Sequence, residues 1–204
     1  MQDPFFKEKK LLVGVSGSIA VLGLPAYLGM FRAIFKEVKV IMTVAATRLI
    51  PPSTILLLCD EVFIDEDLDL EKKMNHVELA RWADLFIILP ATANVIGQAA
   101  NGVAINLLTS TILAHPNPVL FFPNMNRLMW TKKVVQRNVN QLREDSHIVV
   151  SPLEAMAYEV ASGTMQPNYI LPSGQTVIQE MKNTILKREE KTIVSSNSIG
   201  NDDN

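Results

Sequence analysis

Residues 85–94 read LFIILPATAN, and residues 119–130 read VLFFPNMNRLMW. Both stretches open on an apolar run with no polar alternation. A strand buried on both faces has that pattern, and such strands belong to parallel sheets covered by helices. Each run then gives way to proline, amides and hydroxyls. Open α/β sheets bind ligands at the carboxyl ends of their strands. Asparagine-rich sequence just past a buried strand is poor core material and good lining for a polar site.

The flanking sequence repeats the alternation. Leu11–Val15 reads as a buried strand and Ser16-Gly17-Ser18 as a tight turn. An apolar helical stretch from Ile19 to Phe35 follows, with Pro25 in the first turn of the regular helix. Val38–Thr43 is a strand, Ala45–Ile50 and Ser53–Cys59 are short helices, and Val62–Ile64 is a short strand. Charged residues 65–73 read as solvated loop. Asn75 and Glu78 have the spacing of a helix N-cap and its N3 partner. Helices are expected over Asn94–Ala114, with an interruption near Gly102, over Arg127–Glu144 and over Ser173–Arg188, and a strand over His147–Pro152. Strands alternating with helices predict an α/β fold: a doubly wound, mostly parallel sheet with helices on both faces. Residues 1–188 are expected to form one domain, and the polar residues 189–204 a disordered tail.

Composition narrows the function classes. The chain has 204 residues, 48% of them hydrophobic, and a net charge of −2. With no basic run, no nucleic-acid partner is expected. No apolar stretch approaches the ~18 residues of a membrane span, and the first ten residues lack the apolar core of a signal peptide, so a cytoplasmic protein is expected. Cys59 is the single cysteine and reads as a small buried hydrophobe. His76, His115 and His147 lack ligand spacing, so no metal is expected.

The turn Gly14-Val15-Ser16-Gly17-Ser18-Ile19-Ala20 joins a strand to a helix. Its backbone N–H groups suit a phosphate. The third glycine of a dinucleotide fingerprint is missing, and the second strand ends at Thr43 without the acid that binds a ribose. Thr43 suits a phosphate better. Taken alone, the stretch reads equally as a phosphate cradle or as a plain turn.

These segments, with His76, Pro90-Ala91-Thr92-Ala93-Asn94, Asn101-Gly102, Asn106-Leu107 and Pro123-Asn124-Met125-Asn126-Arg127-Leu128-Met129-Trp130, occur in an order that resembles the homo-oligomeric flavin-containing cysteine decarboxylases, from about Leu11 to Leu186. The proline-x-methionine-asparagine-x-x-methionine-tryptophan motif carries the resemblance. It implies a Rossmann-like flavoprotein and sets Gly14, Ser16, Gly17, Ser18, Ile19, Thr43, Pro90, Ala91, Thr92, Ala93, Asn94, Gly102, Asn124 and Met125 beside the cofactor. It implies trimers, four of them forming a dodecamer, with flavin held between subunits.

Two departures point to the mersacidin-type branch, which acts on peptides. No cysteine follows Cys59, whereas phosphopantothenoylcysteine decarboxylases carry a late one that reduces the enethiol. The corresponding stretch, Val160-Ala161-Ser162-Gly163, resembles a peptide-clamping segment. Ile105 stands where many members carry aspartate, which the resemblance ties to FAD, with FMN as the alternative. The implied reaction is oxidative decarboxylation of the C-terminal cysteine of a lantibiotic precursor peptide to an aminoenethiol. Oxidising the thiol to a thioaldehyde gives the departing electrons of the carboxylate a place on sulfur.

His76 is the candidate for taking the thiol proton, and Asn126 for holding the substrate carboxylate. Without the resemblance, His76 reads as an exposed first-turn residue and Asn126 as a helix cap. The alternatives are coenzyme A synthesis by phosphopantothenoylcysteine decarboxylation, a flavin prenyltransferase and a non-catalytic flavin-binding regulatory protein. Retention of both His76 and Asn126 argues against the last two.

Overall fold

The computed structural model describes residues 4–64, 74–159 and 162–199. The chain divides into two units, residues 1–172 and 173–204. In the first, six strands form one parallel sheet: β1 Lys10–Val15, β2 Glu37–Met42, β3 Glu61–Ile64, β4 Leu85–Ala91, β5 Leu120–Pro123 and β6 Ile148–Val149. Their order is β3-β2-β1-β4-β5-β6. All seven residues of β4 are buried, as the unbroken apolar run requires.

The helices are α1 Leu24–Ile34, α2 Val44–Thr47, α3 Pro52–Leu56, α4 His76–Trp82, α5 Ala93–Ala100, α6 Leu107–Ala114, α7 Arg127–Trp130 and α8 Lys133–Glu144. A 3-10 turn, Ile19–Gly23, precedes α1, and Pro25 lies in the first turn of α1 as expected. The Asn75–Glu78 capping box forms at the start of α4. The stretch from 94 to 114 is two helices. Gly102, at φ +64°, makes the break. The stretch from 127 to 144 also divides, at Thr131 and Lys132, where Lys132 turns extended.

Residues 151–172 hold an element the periodicity did not announce. β7 Leu153–Glu159 and β8 Thr164–Ile170 pair antiparallel as a separate ribbon. Its exposed faces carry Leu153, Met156, Tyr158 and Met165. With no buried face to select apolar residues, alternation gives no strand signal.

The second unit is α9, Gly174–Ile199. That helix runs on through residues 189–199, where a disordered tail is expected. Glu189, Glu190 and Lys191 are good helix formers despite their polarity, so the helix continues. Residues 200–204 of that tail, and the loop assigned to residues 65–73, lie outside the described residues. Among the described residues no helix is long and apolar enough to cross a membrane.

Cys59 is buried, and that burial pushes its thiol up to about 11, which leaves it a packing residue. His147 yields a pH prediction. Its Nδ1 accepts the Val119 N–H at 3.1 Å, which needs an unprotonated nitrogen. Burial lowers its pKa, against a smaller upward pull from Asp145. The folded value therefore lies below the unfolded one. The neutral ring's contribution is whole above about pH 6.5 and is lost as pH falls through the depressed folded value. Urea midpoints should decline below that pH. His147→Asn, whose amide oxygen can accept the same N–H, should show a flatter decline, and identical slopes would contradict the assignment.

Candidate functional site

The strand order reverses direction between β1 and β4. There the loop after β1 runs to one side and the loop after β4 to the other, leaving a crevice at the carboxyl edge. A cavity of about 520 Å³ opens there. Ser16, Gly17 and Ser18 line it from the first turn, Thr43, Val44 and Ala45 from the start of α2, and Thr92, Ala93, Asn94 and Val95 from the start of α5. Asn106, Asn124, Met125 and Met129 complete it.

Helix caps build this lining. Thr43 Oγ1 accepts the Ala46 N–H at 3.3 Å, Thr92 Oγ1 accepts the Val95 N–H at 3.5 Å, and Asn106 Oδ1 accepts the Thr109 N–H at 2.8 Å. Ser18 Oγ accepts the Ala20 N–H at 3.3 Å. Helix starts thus converge on one space, and their N–H groups and dipoles favour an anion. Among the described residues no charged side chain lines the cavity, so a negative group there would be met by backbone and neutral polar groups.

The first turn is held rigidly. Ser16 is buried, donates through Oγ to the Pro90 carbonyl at 2.8 Å and accepts the Thr92 N–H at 2.9 Å. One hydroxyl thereby ties the ends of β1 and β4 together across the crevice. Ser16→Ala leaves the Thr92 N–H without that acceptor and should cost roughly 1–3 kcal/mol, read by urea unfolding. A loss under a few tenths would show that the tie is dispensable. Gly17 permits a close approach: a Cβ there would stand 2.5 Å from Ala45 Cβ and 3.0 Å from the Ala45 carbonyl carbon.

A second cavity, of about 400 Å³, adjoins the first. Ser18, Asn124 and Met125 line both. Ile19, Ala20 and Asn126 line the second, with Ala157 and Tyr158 of β7, Asn168, Tyr169 and Ile170 of β8, and Leu171. Asn126 caps α7, its Oδ1 accepting the Leu128 N–H at 2.8 Å. Arg127 meets Glu154 at 3.3 Å, and the Trp130 ring lies 6.0 Å from that of Tyr169.

Of the residues expected beside the cofactor, Ser16, Gly17, Ser18, Thr43, Thr92, Ala93, Asn94, Asn124 and Met125 are brought together. Ile19 faces the second cavity only. Others are placed elsewhere. Gly14 lies inside β1, where a Cβ would collide with Leu108 Cδ1 and stand 2.7 Å from Ile88 Cδ1, so it serves packing. Pro90 and Ala91 are buried within β4 and hold the turn through their backbone: Pro90 O accepts from Ser16, and Ala91 O accepts the Asn124 N–H at 2.9 Å. Gly102 has open space around it and shapes the turn after α5.

His76 is exposed at the first position of α4 and lines neither cavity, so one chain does not bring it to Asn126. Ser162 and Gly163 sit at the tip of the β7–β8 ribbon, away from both cavities, with Ser162 Oγ 2.9 Å from Thr164 Oγ1. Val160 and Ala161 lie outside the described residues. Asn106, Met129, Tyr158 and Tyr169 line the cavities without having been singled out as contacts. An Asn with threonine three residues on signals the Asn106 cap, but nothing local signals the ribbon's tyrosines.

Residues 6–177 match the Flavoprotein family. The mersacidin decarboxylase of a Bacillus species is 52% identical over 168 residues, covering 82% of this chain and 86% of that protein. A solved structure of a histidine variant of the decarboxylase EpiD with the substrate peptide DSYTC has a TM-score of 0.80 at 28% identity, covering 88% of this chain and 99% of the other. The FMN-dependent cysteine decarboxylase SpaF has a TM-score of 0.69 at 34% identity, covering 88% and 96%. The switch-point cavity and these likenesses agree: the chain belongs to the Flavoprotein family and, within it, to the flavin-containing peptidyl-cysteine decarboxylases.

Proposed function

We propose that this chain oxidatively decarboxylates the C-terminal cysteine of a lantibiotic precursor peptide to an aminoenethiol. The observation that carries the reading is the pair of adjoining cavities at the β1/β4 crevice. The first fits a phosphate-bearing ring system in size and in donors. Its neighbour, floored by Asn126 and walled by the ribbon, suits a peptide end.

A bound flavin supplies the two-electron oxidation of the cysteine thiol. The chain's own residues do the rest. The starts of α2, α5 and α6, capped by Thr43, Thr92 and Asn106, would hold the phosphate end together with the first turn. Capping by the Leu128 N–H fixes the carboxamide of Asn126, whose amide end then meets the substrate carboxylate. His76 takes the thiol proton. Because it is exposed and outside both cavities of its own chain, it acts at the site of a neighbouring copy. A trimer, four to a dodecamer, supplies that neighbour. FAD is the cofactor that Ile105 favours, while FMN is the form named for SpaF. The mass of the extracted cofactor separates them.

Incubation with a peptide ending in cysteine should remove about 46 mass units, the sum of carbon dioxide and two hydrogens. A peptide ending in serine should be untouched. Turnover of phosphopantothenoylcysteine with the peptides unchanged would overturn the reading in favour of coenzyme A synthesis.

A further inference from the structure

Asn124 stands in the wall between the two cavities and touches both. Its Oδ1 accepts the Ser18 hydroxyl proton from the first turn. Its Nδ2 donates to the Tyr169 carbonyl of β8 at 3.1 Å. Its backbone N–H is held by Ala91 at the end of β4. The side chain therefore joins the turn to the ribbon, and the backbone of the same residue fixes it to the sheet edge. A carboxamide suits this place because its two partners are opposite in kind, a hydroxyl that donates and a carbonyl that accepts.

The ribbon needs such ties, because an isolated pair of strands is marginal in water. The Trp130–Tyr169 and Arg127–Glu154 contacts reach it from α7. Asn124 reaches it from the wall of the first cavity. A ligand that fixes Ser18 fixes the acceptor end of Asn124, and with it the donor end that holds Tyr169.

We propose that Asn124 is a positioning residue that couples the two cavities: filling the first orders the ribbon over the second, so that the cofactor raises affinity for the peptide and the peptide raises affinity for the cofactor by the same factor. This rests on the assignment of the cavities given above.

The test is hydrogen exchange of the full chain with and without saturating FMN. In the wild type, FMN should slow exchange of the paired amides in residues 153–159 and 164–170 by about tenfold, within the usual range of coupling between sites. Asn124→Asp keeps the acceptor for Ser18 but sets a carboxylate against the Tyr169 carbonyl. Ser18→Ala cuts the other arm. At FMN concentrations raised to saturate each variant, both should keep wild-type protection in β1 and β4, yet their ribbon protection should no longer respond to FMN. A merely structural Asn124 would lower ribbon protection equally with and without FMN and leave the ratio intact.

An unchanged ratio in FMN-bound Asn124→Asp overturns this inference alone. So does complete loss of FMN binding in that variant, since a strut does not itself hold the cofactor. A wild-type chain that takes up neither FMN nor FAD overturns the inference and the functional reading together.

Discussion

Replacing His76 by asparagine is expected to leave flavin binding and fold intact and to lower the rate of peptide decarboxylation by about 10²–10⁴-fold, the usual worth of a positioned proton acceptor. The substitution spares the helix. The capping box at the start of α4 is made by Asn75 and Glu78: Asn75 Oδ1 accepts the Val77 and Glu78 N–H groups at 2.9 and 3.1 Å, and Glu78 Oε2 accepts the Asn75 N–H at 2.8 Å. His76 takes no part in that box. Its imidazole is exposed, and asparagine there is too poor a base to take a thiol proton.

The same geometry makes a stronger demand. If His76 serves the site of a neighbour, His76→Asn and Asn126→Ala chains are each inactive alone. Mixed and reassembled, they should recover about a quarter of wild-type activity, because random pairing leaves one site in four with both groups intact. No recovery on mixing would place His76 outside the shared site. Full activity of His76→Asn would remove it from the reaction.

Gly17→Ala is expected to reduce flavin affinity by tenfold or more, about 1.4 kcal/mol at the least. The added methyl would meet Ala45 at 2.5 Å from its Cβ and 3.0 Å from its backbone carbon. Backbone cannot swing aside as a side chain can, so either the first turn or α2 must shift. Both line the cavity where the phosphate end would rest. Gly29→Ala is the control. Nothing lies within 4 Å of that position in α1, so alanine there should leave binding unchanged and add about 0.5–1 kcal/mol of helix stability. Titration with FMN and urea unfolding of both variants decide the matter. Equal flavin affinity in the two would show that the close approach of Gly17 to α2 plays no part in the site.

The fold was legible wherever burial on two faces left its mark. Residues 85–89 and 119–122 read as inner strands because so short an unbroken apolar run, closed by proline and amides, suits a strand covered on both faces. Their loops had to meet at the carboxyl edge. Capped helix starts were legible too, at Asn75 and at Asn126, each beside the element it closes. What was lost is what local pattern does not encode. The β7–β8 ribbon buries no continuous face, so its strands carry no alternation. Gly14 and Gly17 look equivalent in sequence, yet one meets Leu108 beneath the sheet and the other meets Ala45 beside the cavity. Pro90 and Ala91 belong to a motif but contribute backbone rather than side chains. His76 lines neither cavity of its own chain, and nothing local in the sequence announces that placement.

The most direct measurement is the flavin content of the purified, full-length protein. The account predicts a yellow protein, or a colourless one that takes up one FMN or FAD per chain and loses that uptake by tenfold or more in Gly17→Ala. A wild-type protein that stays colourless and binds neither nucleotide would contradict it.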